Sequence, residues 1–145
     1  MRLWKMMAVA LSLTLFPVIA SAQFKDLDTA MSNLTRGFGS GDAQAIVAGI
    51  ADGDQVMLQF PGLVTQNGFF GRDQAAYLLD GLFNKTRPSG FEPDGVKKSS
   101  ANSQVQIDGQ WAVQVSGKSE ARVLSIILRN KNDRWSIVSV KSASK

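Results

Sequence analysis

Apolar residues recur at three- and four-residue steps through Phe24, Leu27, Ala30, Met31, Leu34 and Phe38, the spacing that lines one face of a helix. Asp26 and Asp28 fall in its first turn, where the helix dipole favours acids. The run Gly37-Phe38-Gly39-Ser40-Gly41 is expected to stop this helix as a C-cap and turn. Asp42 then caps a second, shorter helix, Ala43 to Ala51, which buries Ile46, Val47 and Ile50 and is weakened by Gly49. After the turn Asp52-Gly53-Asp54 the period changes to two. Val56, Leu58 and Phe60 alternate with Gln55, Met57 and Gln59, so Gln55 to Phe60 reads as a strand ended by Pro61-Gly62. Asn67-Gly68 makes a tight turn before the short strand at Phe69-Phe70. A third helix, Arg72 to about Asn84, carries the stripe Ala75, Leu78, Leu79, Leu82 and Phe83 and ends before Pro88.

Everything beyond Pro88 is strand-like. Phe91 to Lys98 is one strand and Ser99 to Asn102 a polar connection, while Gln104 to Ile107 and Trp111 to Ser116 are expected to form a hairpin around Asp108-Gly109. Ala121 to Arg129 is apolar on both faces, which marks an interior strand. Asn130 to Asp133 is a turn, Arg134 to Lys141 the last strand, and Ser142 to Lys145 a frayed tail. Helices followed by strands joined through short polar turns give an α+β architecture: N-terminal helices packed on a curved, mainly antiparallel sheet.

The first residues change the picture of where this domain works. Arg2 and Lys5 precede an apolar run from Met6 to Ile19 and the small-x-small triplet Ala20-Ser21-Ala22, the features of a secretory signal peptide. Residues 1–22 are therefore expected to be removed on export to the periplasm or outside, with 23–145 forming one domain. That run is short of the roughly 20 residues a membrane helix needs, so stable membrane insertion after cleavage is not expected. The chain has no cysteine, which closes both disulfide stapling and anchoring by lipid on a processing-site cysteine. The net charge is +4, but removing Arg2 and Lys5 leaves 14 basic and 12 acidic residues, a net of +2. Scattered bases at that balance do not suit nucleic acid.

Gly41-Asp42-Ala43 before the second helix and Gly68-Phe69-Phe70-Gly71-Arg72-Asp73-Gln74-Ala75 before the third point in the same direction as three later segments. These are Asp108-Gly109-Gln110-Trp111-Ala112-Val113, Ala121-Arg122-Val123 to Leu128, and Arg134-Trp135-Ser136-Ile137-Val138. In element order and turn residues, nearly the whole of 23–145 resembles the nuclear-transport-factor-two-like superfamily, the cone-shaped cystatin-like fold. More narrowly it resembles small exported bacterial domains of unknown function with that fold. It departs from them around Lys97 to Gln106, which is longer and more polar, leaving the pairing of that stretch open. The resemblance implies a helix wrapped by a curved sheet; enzymes of the superfamily, such as ketosteroid isomerases and polyketide cyclases, use a carboxylate or an Asp-His pair deep in the cone.

Histidine is absent along with cysteine, which removes the commonest general base and the usual ligands of zinc and haem. No cofactor or metal is expected. The remaining chemistry is that of carboxylates: Asp54 (with Asp52), Asp80, and Glu92 with Asp94. Asp52-Gly53-Asp54 suits a solvated turn, Glu92 and Asp94 straddle Pro93 as on an exposed edge, and Asp80 lies on the polar side of its helix. Tyr77, Trp111, Trp135 and Asp54 are the candidate ligand-binding residues, the three aromatics placed to line the mouth of a cone and stack on a small apolar molecule or a peptide, and Asp54 as the polar group. Three readings follow. The first is an exported, non-catalytic domain that binds a small ligand or a protein partner through its cone or sheet face. The second is an isomerase or hydrolase with one of Asp54, Asp80, Glu92 or Asp94 buried inside. The third is a homodimeric assembly protein paired through its outer sheet face.

Overall fold

The computed structural model describes residues 23–99, 101 and 103–144; the expected signal peptide, 1–22, lies outside the described residues. The elements run α1 (Leu27–Ser40), α2 (Ala43–Val47), β1 (Val56–Gln59), β2 (Gly68–Phe70), α3 (Arg72–Thr86), β3 (Gly90–Lys98), β4 (Gln104–Val115), β5 (Lys118–Lys131) and β6 (Arg134–Ser144). They build one six-stranded sheet of order β2-β1-β6-β5-β4-β3. Only the β1–β6 pair is parallel, and the late strands form the expected meander with β5 in the interior. The hairpins turn at Ser116-Gly117 (φ 53° and 79°) and at Asn132-Asp133 (φ 56° and 61°). Two successive left-handed residues are what a two-residue turn between twisted strands requires.

Asp26 caps α1 by accepting the Thr29 backbone N–H at 2.7 Å, and this bond holds its carboxyl below the ordinary value. The helix ends within the expected glycine run, at its last residue rather than its first. It continues to Ser40 and ends on Gly41, at φ 76°. Gly37 has another use: a β-carbon there would lie 2.4 Å from the Ile46 side chain, so its bare backbone lets α1 and α2 pack closely. Phe24 also departs from the helical pattern. It stands outside α1 and forms a bridge with Trp135, each backbone N–H donating to the other's carbonyl at 2.8 Å. Its ring fills the space over Gly49, where a β-carbon would come within 2.3 Å. α2 is correspondingly short, ending at Val47 rather than Ala51.

The largest departure is at Asp108-Gly109, which is no hairpin. β4 runs straight through it, pairing Asp108 with Ser125 and Gly109 with Leu124 of β5. On its other side the register with β3 shifts between Pro93 and Gly95. There a β-carbon on Gly109 would lie 2.6 Å from the Glu92 carbonyl oxygen, so glycine serves close strand approach rather than a turn. The β3–β4 connection falls between Lys98 and Gln104, where the sequence placed it. At the chain's end Ser142 and Ala143 are no frayed tail but pair with Leu124 and Val123.

One apolar core joins α1, α2 and α3 to the inner sheet face carrying Val105, Ile107, Leu124, Ile126, Leu128 and Val140. Trp111 lies at its centre, wholly buried. Its ring meets Phe38 edge-on at a centroid distance of 5.8 Å and Phe83 at 6.4 Å, with Phe60 tilted against it at 6.0 Å. Its indole N–H donates to the Phe38 carbonyl at 2.8 Å, satisfying a group in the last turn of α1 that has no partner further along the helix. Replacing Trp111 by Phe keeps most of the ring but strands that carbonyl. An unpaired buried acceptor costs about 1–3 kcal/mol, and the lost ring volume adds to it, so Trp111→Phe is expected to lower unfolding free energy by at least that much in urea titration.

Candidate functional site

The four candidate residues do not converge. Trp111 belongs to the core, its whole surface taken by protein. Trp135 is half-buried where β6 meets Phe24. Asp54 is exposed at the rim of a hollow of about 240 Å³, with Gln55, Arg129, Lys131 and Ser136 nearby. Tyr77 is 85% exposed on the outer side of α3. The carboxylate reading required an acid inside the cone, and it does not hold: Asp54, Asp80, Glu92 and Asp94 are all exposed. Phe38, Phe60, Phe83, Phe91 and Trp111 occupy the interior in their place.

Sequence reasoning passed over Arg122, treating it as one of the scattered surface bases. It points inward from β5 and is almost fully buried beside its cross-strand partner Trp111. Its guanidinium donates to the Pro61 carbonyl at 3.0 Å and pairs with Glu120 at 3.1 Å. It thereby ties the loop after β1 to the middle of the sheet. The strand's alternation, with Leu124, Ile126 and Leu128 inward, was the signal that could have placed it there.

All three helices pack on the inner face of the sheet, and on the opposite face apolar and polar side chains are mixed. One row crosses all six strands as Phe69, Met57, Ser139, Ile127, Gln106 and Lys97. The next runs Gln59, Lys141, Ser125, Asp108, and the one after it Ala143, Val123, Gln110, Glu92. Phe69 is 66% exposed at the β2 edge, and Met57, Ile127 and Val123 are half-buried. In the middle of this face Asp108 accepts hydrogen bonds from Ser125 Oγ at 2.6 Å and Gln106 Nε2 at 3.0 Å, with Lys97 Nζ at 3.7 Å. The two hydrogen bonds, helped by the Lys97 charge, hold the Asp108 carboxyl below its ordinary value of 3.8. The network pins the χ angles of the polar residues, with Ile127 and Val123 on either side of Ser125 along β5.

No family model matches the chain, and no curated protein does. Among solved structures it is similar to a DUF4783 family protein from Bacteroides ovatus ATCC 8483, at 18% identity and TM-score 0.65 over 79% of this chain and 94% of that one. A hypothetical protein with a ketosteroid isomerase-like fold from Catenulispora acidiphila DSM 44928, in complex with trimethylamine, matches at 11% identity and TM-score 0.60 over 80% and 85%. A putative calcium/calmodulin-dependent protein kinase type II association domain from Thiobacillus denitrificans ATCC 25259 matches at 16% identity and TM-score 0.63 over 85% and 98%. These likenesses establish the α+β cone that the turn residues pointed to.

Because the folded state holds Asp108 ionised, its contribution to stability is present above 3.8 and is lost as the pH falls through its lower folded value. The stability gap between the native chain and Asp108→Asn is therefore expected to be largest near neutral pH and to close in strong acid. Urea titrations at neutral and acid pH measure it.

Proposed function

We propose that this chain is an exported, non-catalytic domain that binds a protein partner through the uncovered face of its sheet. The observation that carries this reading is the contrast between the two sides of the sheet. The inner side is filled by an aromatic core, whereas the outer side presents Phe69, Met57, Ile127 and Val123 around a polar network already satisfied within the chain. At Asp108 such a face can lose its water without stranding the carboxylate, as the centre of a protein interface needs, and Lys141 and Gln59 beside it are left for polar contacts with the partner. Phe69, large and exposed at one edge, is the kind of anchor that dominates interface energies.

Two of the similar structures suggest alternative uses for one fold. One is in complex with trimethylamine and the other is described as an association domain. The filled interior of this chain favours the second use. Export rests on Arg2, Lys5, the apolar run Met6 to Ile19 and Ala20-Ser21-Ala22.

A photo-crosslinking amino acid placed at Ile127 or Val123, in cells that make the chain, tests the proposal. Both positions are expected to yield the same discrete adduct in the exported fraction, and a control at Gln44, exposed on α2, is expected to yield none. Ile127→Lys should abolish the adduct formed from position 123. An absence of adducts on the sheet face, or an equal adduct at Gln44, overturns the reading.

A further inference from the structure

Gly81 lies in the middle of α3, exposed, and a β-carbon there would meet no atom within 4 Å. Glycine inside an exposed helix destabilises it relative to alanine, so such a residue calls for a reason. At Gly37, Gly49 and Gly109 a neighbouring group occupies the space; at Gly81 none of the described residues does. One turn earlier stands Tyr77, 85% exposed. Both belong to a single i, i+4 ridge, Asp73–Tyr77–Gly81–Lys85, which spans about 18 Å at 1.5 Å per residue.

Read forward, the ridge is acid, aromatic, gap, base. Read backward it is base, gap, aromatic, acid, so it complements an antiparallel copy of itself at every position. We infer that α3 is a self-association surface, on which a second copy of this chain docks antiparallel about a two-fold axis passing between Tyr77 and Gly81. Each Tyr77 then lies over the partner's Gly81, and each Asp73 faces the partner's Lys85, so every contact is made twice. A hollow of about 270 Å³ beside Gly81, lined by Leu63, Val64, Thr65, Leu78 and Leu82 and flanked by Tyr77 and Lys85 themselves, gives the incoming phenol a largely apolar seat. Lys85 donates one N–H to the Leu63 carbonyl at 3.1 Å and keeps two for a carboxylate. A side chain at position 81 would block this approach, which supplies the missing reason for glycine. The surface is separate from the sheet face, and this inference stands on different residues from the proposed function.

Sedimentation velocity over a range of concentrations tests it. The chain is expected to show a monomer–dimer equilibrium. Gly81→Gln, which replaces the glycine by a good helix former, is expected to raise the thermal midpoint of the monomer while weakening the dimer about tenfold or more. Asp73→Lys and Lys85→Asp each set like charges face to face and should weaken it comparably, whereas the two together restore it to within about threefold. A chain that stays monomeric throughout overturns the inference. So does a dimer that is indifferent to Gly81→Gln, that the double charge exchange fails to rescue, or that Ile127→Lys alone dissolves.

Discussion

The contact between the Trp111 indole and the Phe38 carbonyl ties this fold together. A helix end leaves carbonyls without partners, and burying such an end is costly unless something donates to it. Here the donor comes from β4, a strand paired on both sides, so α1 can end inside the core with that carbonyl satisfied. The rings of Phe38, Phe60, Phe83 and Phe91 then close around the indole, linking both long helices to β3, β4 and the end of β1. With that space filled, the cone has a packed interior.

Glycines allow the elements to come close enough for this packing. Gly37 admits Ile46, Gly49 admits the Phe24 ring, and Gly109 admits the β3 backbone at its register shift. All three stand where local rules read a helix stop, a weak helix and a hairpin turn. A glycine adjacent to a polar residue carries the same local signal whether it frees a backbone angle or clears room for a neighbour. Which use applies depends on a partner many residues away in the chain.

The proposed outer surfaces share a physical character. On the sheet face, Ser125, Gln106 and Lys97 satisfy Asp108 before any partner arrives, so the apolar flanks can be covered at low desolvation cost. On α3 the polar ends of the ridge are opposite in charge and the middle is aromatic beside a vacancy. One surface is assembled from every fourth residue of a helix, the other from neighbouring register rows of the sheet. A pattern of that kind is written along the chain, but its exposure is not.

The periodicities and turn residues of this sequence determined the element order, the α+β class, the helix stripe from Ala75 to Phe83, and the alternation that faces Leu124, Ile126 and Leu128 inward. These follow from local geometry, since a 3.6-residue or two-residue repeat sets which side chains share a face. The sequence also held Tyr77 in view as a candidate residue, though only as part of a cone mouth. Tertiary structure alone decided that Trp111 is core rather than ligand platform, that Arg122 is buried, that β4 passes unbroken through Asp108-Gly109, and that Gly81 faces open space. Each of those facts depends on what the rest of the chain brings within a few ångströms of a residue. Spacing along the sequence specifies a residue's direction, but its surroundings are set only by the elements packed against it.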